Sequence, residues 1–460
     1  MRNVKILVLA GALALAPLAA YAGDYVLVAS HWGSKQAEAV AAAGGTVQFA
    51  HGKAGIGIVT SSAPDFLDRA LASNAFHYGA ADEAVQWQNP IAAEQIELTD
   101  GAAGITEAVV NPANDTFYPI QWAHAAVESP AAWAAGCTGD GVRVAILDGG
   151  IYSAHPDLDA NIDVACSRSF ITGVTNPFTD TGTFWHGTHV AGIVAAEDNN
   201  TGVVGIAPDA TLIGVKVLHS GSGPFGSIIA GILYAADPAA FGAPAGCARA
   251  DIINMSLGAV FPKNGLGFLV AALNQAVNFA ASNGVLVVSA AGNDGIDFGQ
   301  AFNFTTVPAD SGSGLAVSAT GPLAWAYGAT NYTRPASYSN YGEGLVFVAG
   351  PGGDGAYPGN ENCTLPVVGG TVTVPCWVFD LYLSTSRGTS VNGGYSWAAG
   401  TSMATPAASA VAALILGNNP GLSLGALKAR LHQSSVDEGP IGHDEFYGHG
   451  FINARRACEQ

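Results

Sequence analysis

Positive charge is scarce in this sequence: Lys and Arg number 16 against 35 Asp and Glu over 460 residues, a formal net charge of −19. Such a chain repels a polyanion, so nucleic acid is excluded as a partner. Charged residues of both signs make up only 11%, and Ala and 60 Gly fill the difference. The glycines follow no three-residue period, which excludes a collagen-like fibre. The cysteines show no C-x-x-C spacing, which argues against a zinc site. Past Ala22 no apolar run is long enough to cross a bilayer; Ala407 to Leu416 is about half a membrane's width. The metalloprotease pattern H-E-x-x-H and the α/β-hydrolase pattern G-x-S-x-G are both missing.

What is present points outward from the cell. Met1 to Ala22 has a basic start (Arg2, Lys5), an apolar run from Ile6 to Ala20 and the small-residue site Ala20-Tyr21-Ala22. That pattern predicts a secretory leader cut after residue 22, not a membrane anchor. The destination is the outside of the cell or a periplasm. Six cysteines fit an oxidising compartment. Cys363 and Cys376 bracket two Val/Thr-rich runs around Gly369-Gly370. This predicts a hairpin closed by a disulfide; the other pairings stay open.

Residues 23–87 read as a small α+β unit. Strands are expected at Tyr25 to Ser30, Thr46 to Ala50, Ile56 to Thr60 and Ala84 to Trp87, with helices at Lys35 to Ala43 and Asp65 to Ala72. The order is that of a ferredoxin-like split β-α-β unit. Residues 88–113 are polar, lack a clear period and read as a linker. Residues 114–460 alternate apolar strands with helical spacing. The strands are Val142 to Asp148, Leu212 to Leu218, Asp251 to Leu257, Val285 to Ala290, Leu315 to Ala319 and Leu345 to Val348. Helices are expected at Gly187 to Ala196, Ser227 to Ala236 and Phe268 to Ser282. This is an α/β doubly wound, mostly parallel sheet flanked by helices, in which chemistry collects beyond the carboxyl ends of strands.

The candidate chemical residues sit where that rule puts them. Asp148 ends a strand and is followed by Gly149-Gly150. His186 opens an apolar helix in Trp185-His-Gly-Thr-His-Val-Ala-Gly192; His189, three residues on, lacks the spacing of a zinc pair. Ser402 opens another helix in Gly400-Thr-Ser-Met-Ala-Thr-Pro406, where free N–H groups and the positive end of the helix dipole gather. Pro406 is expected to be tolerated as part of the helix's first turn. Asn293 follows the strand Val285 to Ala290 and offers an amide donor to a developing oxyanion.

Together these contexts, in the order Asp, His, Ser, resemble the subtilisin-like serine peptidases, the subtilases, over about Pro119 to Ala457. The motifs are Ile146-Leu-Asp148-Gly-Gly-Ile151, His186-Gly-Thr-His-Val-Ala-Gly192, Asn293 and Gly400-Thr-Ser402-Met-Ala. The resemblance implies Ser402 as nucleophile, His186 as base, Asp148 as its orienting acid and Asn293 as oxyanion donor. It implies that Ser256, Leu257, Gly258 and Ala290, Ala291, Gly292 wall the primary substrate pocket; the floor, within Phe302 to Ser318, departs from the family pattern. It further implies a structural Ca²⁺ held by Asp157, Asn199 and the carbonyls of Glu197, Thr201 and Val203. Residues 23–87 resemble the family's inhibitory propeptide, with maturation somewhere between 88 and 115. Protein or peptide substrates, the chain's own propeptide as inhibitor and a monomeric enzyme complete the expectation. Gly149 stands where the family often has Ser or Thr, a change expected to loosen the bonding around Asp148. A long insertion, 351–399, is expected near one rim of the site. A peptide-binding pseudo-enzyme and a structural surface protein are the competing readings; neither needs all four motifs.

Overall fold

The computed structural model describes residues 23–88, the backbone of 92–94, and residues 114–459. The leader and most of the linker lie outside the described residues.

The larger unit is built on a seven-stranded sheet. In spatial order its strands are Val346–Pro351, Leu315–Thr320, Leu286–Ala290, Ile252–Met255, Arg143–Asp148, Thr211–Lys216 and the short Arg168–Ser169. Every pairing is parallel. The six expected strands are all present; the seventh is a two-residue edge that no apolar run announces. Helices cover both faces, which is why the central strands are apolar without alternation. Helix Thr401–Asn418 packs with His186–Ala195 on one face, and Phe225–Ala236 with Gly267–Ser282 on the other. Among the described residues no helix is long and apolar enough to cross a membrane.

Residues 23–81 form a separate four-stranded antiparallel sheet with two helices. Its strands are Gly23–Val28, Gly45–His51, Ile56–Ser61 and Tyr78–Ala81, and the order is second, third, first, fourth. The split β-α-β reading therefore holds, with one correction. The fourth strand is Tyr78–Ala81, and the segment expected in that role, Ala84 to Trp87, leaves the unit, its Ala84–Gln86 pairing with Ser222–Pro224 of the large domain. The Gly-Ala-Ala content of residues 79–81 hides the true strand.

Three disulfides are formed: Cys137–Cys458, Cys166–Cys247 and the expected Cys363–Cys376. The last closes the antiparallel hairpin Asn362–Val367 with Gly370–Pro375. That hairpin lies against the start of the large domain, where Val368 N–H donates to the Thr116 carbonyl at 2.9 Å. The rest of the insertion braces catalytic elements. Ser384 and Thr385 donate to the carbonyls of His189 and Thr188, each at 2.8 Å, on the helix that His186 opens.

Candidate active site

Asp148 is 1% exposed at the carboxyl end of its strand. Its Oδ1 accepts from the Gly149 N–H at 2.6 Å, and its Oδ2 faces His186 Nδ1 at 2.8 Å. The helix that begins at His186 can approach because residue 187 is glycine: a Cβ there would lie 2.5 Å from the Gly150 carbonyl oxygen. His189 takes no part. It is fully buried, its Nε2 bonds the Ser396 carbonyl at 3.0 Å, and burial lowers its pKa to about 3, so it is a neutral packing residue.

Ser402 is the second residue of helix Thr401–Asn418. Its hydroxyl donates to the Ser256 carbonyl at 3.3 Å, and that same carbonyl lies 3.5 Å from an amide nitrogen touching both Asp148 and His186. Ser402 thus reaches the Asp148–His186 pair through the Ser256 carbonyl and that amide, with its hydroxyl bonded to Ser256 and not to His186. Pro406 corrects the expectation of a first-turn proline: it is the sixth helical residue. Its missing N–H frees the Ser402 carbonyl, and Ser256 Oγ fills the gap at 2.8 Å. Asn293 Oδ1 accepts from Thr401 N–H at 2.9 Å and Thr401 Oγ1 at 2.7 Å. This pins the side chain and leaves Nδ2 as the group presented toward Ser402; both residues line one pocket.

That pocket has a volume of about 360 Å³. Leu257 and Gly258 form one wall, Ala290 and Gly292 the other. Ser256 and Ala291 do not line it: the first is turned to the Ser402 carbonyl, the second is buried behind the wall. The floor that sequence reasoning left open contains Thr306, wholly buried, whose hydroxyl donates to the Ala291 carbonyl at 3.2 Å. Asp294 also lines the pocket.

The remaining wall comes from the chain that leaves the small amino-terminal unit. Val85, Gln86 and Trp87 line the same pocket. Their segment pairs with the strand Ser222–Pro224, and its backbone is bonded on both sides: Trp87 N–H donates to the Gly221 carbonyl, and Gly258 N–H donates to the Trp87 carbonyl, both at 2.9 Å. The Trp87 ring is buried against Phe225 and Phe261. Gln88 Nε2 is 3.0 Å from Asp148 Oδ2 and 2.9 Å from His186 Nδ1. Past the centre, Ala92–Glu94 pairs antiparallel with Trp397, Ala398 and Ala399, just before Ser402. Asp82 caps the helix Phe225–Ala236 of the large domain, accepting from Gly226 N–H at 3.0 and 3.1 Å.

The candidate metal residues also meet. Asp157 is fully buried and its Oδ2 accepts from Val203 N–H at 2.9 Å. The loop 197–203 wraps beside it, and only glycine fits at 202, where a Cβ would lie 2.3 Å from Asp157 Oδ2 and φ is +56°. Sequence reasoning missed Asp115. It is fully buried in the same place and accepts from the N–H groups of Asn199 and Thr201 at 3.1 and 3.2 Å. Asp157 Oδ1 and Asp115 Oδ2 have no hydrogen-bond partner. Burial pushes the Asp157 carboxyl up to about 8 and that of Asp115 to about 7. Two orphaned carboxylate oxygens beside a loop of carbonyls suit a hard, oxygen-seeking cation. Among the described residues no group of three or more His, Cys, Asp or Glu is arranged to hold a metal ion; Asp157 and Asp115 are the two carboxylates that meet here.

Comparison with known proteins gives the same picture. A profile described as the subtilase family matches residues 139–450. The M-protease of Shouchella clausii is 37% identical over 340 residues, 74% of this chain and 70% of that one. Subtilisin Savinase of Lederbergia lenta is 36% identical over 74% of this chain and 98% of its own length. Among solved structures, a protease of Pseudoalteromonas arctica superposes with a TM-score of 0.58 at 28% identity, covering 76% of this chain and 99% of its own.

Proposed function

The chain belongs to the subtilase family and is a serine endopeptidase, and from that premise we propose that it is made as a secreted, self-processing precursor. Residues 23–87 are its intramolecular inhibitor. One observation carries this reading. The chain leaving that unit pairs with Ser222–Pro224 along the cleft, touches Asp148 and His186 through Gln88, and at Ala92–Glu94 pairs with Trp397, Ala398 and Ala399, just before Ser402 in sequence. A substrate would be gripped in the same way, between the Gly221 and Gly258 backbones. The maturation cut therefore falls after Gln88, between 88 and 115. Amino-terminal sequencing of active enzyme tests it: a start within 89–115 is expected, and active enzyme that begins at residue 23 overturns it. The leader-like start and the three disulfides support export.

The chemistry follows from the geometry. Ser402 Oγ attacks the scissile carbonyl as its proton passes to His186 Nε2. Asp148 Oδ2 holds Nδ1–H and steadies the imidazolium that results. The oxyanion is met by the Ser402 N–H and by Asn293 Nδ2. His186 then returns its proton to the departing amine; water repeats the sequence on the acyl-enzyme. Asn293→Ala should lower kcat by about 10²–10³ with KM little changed, a range taken from subtilisin itself. Steady-state kinetics on casein-derived peptides check this, and a KM effect alone would remove Asn293 from the oxyanion site. Inhibition by a serine-directed sulfonyl fluoride separates the peptidase from a peptide-binding protein.

Ca²⁺ is proposed at Asp157, Asp115, Asn199 and the carbonyls of Glu197, Thr201 and Val203, where it would neutralise two buried carboxylates and pin the loop. With chelator present those carboxyls sit above their unfolded value near 3.9. A carboxyl raised by folding stabilises fully below that value and loses the contribution as pH climbs through its folded pKa. The Tm of chelated enzyme should thus fall from pH 5 to 9, by about 5 °C or more, while Ca²⁺-loaded enzyme stays flat. Parallel melting curves with and without the ion argue against the site.

A further inference from the structure

The turn after Asp148 is two glycines, Gly149 and Gly150, which restrain a backbone weakly. Yet this turn aims the carboxylate, since Gly149 N–H is the donor to Asp148 Oδ1. The family's frequent hydroxyl at 149 is missing. Something else must hold the turn, and the neighbouring strand supplies it. Asp148 and Lys216 are paired in register, and the Asp148 carbonyl accepts from Val217 and Leu218 N–H at 2.9 and 3.2 Å. Lys216 is wholly buried. Its ammonium donates to the Gly149 carbonyl and, at 2.7 Å, to the Leu218 carbonyl. Asp180 Oδ1 lies 3.9 Å from Nζ. Its Oδ2 occupies the space of the absent side chain: a Cβ at Gly149 would lie 2.2 Å from it. Asp180 Oδ1 is itself fixed by the N–H groups of Thr181 and Ser220 at 2.9 and 3.1 Å.

We propose that Lys216 and Asp180 are positioning residues for the reaction: the ammonium locks the Gly149 carbonyl, and the locked turn keeps Asp148 Oδ1 on the Gly149 N–H and Oδ2 on His186. A buried ammonium is costly to desolvate, and no packing need explains it where Met would fill the same space. Two carboxylates offset that cost. Burial lowers the Lys216 pKa, and Asp180 and then Asp148 oppose the shift. The groups around the ammonium are Asp148 and Asp180, with His186 bonded to the first and His219 Nδ1 3.7 Å from the second.

The inference rests on the triad assignment, so Asp148→Asn is measured beside Lys216→Met, Asp180→Asn and the double variant. Each is matured in trans by tagged parent enzyme that is then removed. The readout is the pH profile of kcat and kcat/KM on a chromogenic peptide. Lys216→Met should lower kcat about 10- to 100-fold with KM within about twofold, the scale of a misplaced catalytic group. Losing a positive charge favours the imidazolium, so its acid limb moves to higher pH. Asp180→Asn should move the limb the opposite way, and the double variant should return toward the parent. A role in packing alone gives no such opposed pair. Parental kcat and an unmoved limb in Lys216→Met overturn the proposal. If that variant fails to fold, an unmoved limb in Asp180→Asn overturns it instead. An active Asp148→Asn would sink the triad assignment; an inert one beside a parental Lys216→Met sinks only this inference.

Discussion

Ser402→Ala is expected to leave the precursor at full length and to abolish casein hydrolysis. The hydroxyl is the one group that becomes covalently bonded to substrate, and nothing beside it can take its place: Thr401 Oγ1 is held by Asn293, and Ser256 Oγ by the Ser402 carbonyl. Loss of the nucleophile costs about 10⁶ in kcat in subtilisin itself, and the same scale is expected here. Chain length and hydrolysis should fail together, because the same site performs both cuts. Because the residue is at a helix start and the hydroxyl makes one long bond at 3.3 Å, the fold should survive. A variant that shortens normally yet is inert would show that another protease trims the chain. One that still cuts casein would displace Ser402 as nucleophile.

Asp148→Asn carries the second large effect, about 10⁴ in kcat. The new amide would present an N–H to His186 Nδ1, leaving the ring's proton on Nε2, where it can no longer accept from Ser402. Size and burial are unchanged, and the contact to Gly149 N–H can be kept through Oδ1. KM should move little, since the substrate strand is held by Gly221 and Gly258. Retention of more than a tenth of parental kcat would mean that Asp148 does not orient the base.

The sheet was legible because buried parallel strands are unbroken apolar runs, as in Val144 to Leu147. The catalytic groups were legible because each sits in a short glycine-marked context. What escaped depends on folding over distance. Asp115 is one acid in a polar stretch, and only the return of loop 197–203 onto it makes it a ligand candidate. Thr306 resembles any strand threonine until Ala291 is brought to its hydroxyl. Ala84–Gln86 has strand character, and the nearest sheet is the natural place for it; its partner is 138 residues on, with Val85 paired to Gly223. Lys216 ends an apolar strand and carries no motif of its own.

The bond between Cys137 and Cys458 joins residues 321 positions apart. An endopeptidase at working concentration meets copies of itself, and exposed loops are cut first. A single cut anywhere between these cysteines leaves both pieces tied together, so damage makes a nicked ring and not two fragments free to drift apart. The remaining contacts can hold a broken loop in place, and lifetime in a protein-rich medium is governed by the second cut instead of the first.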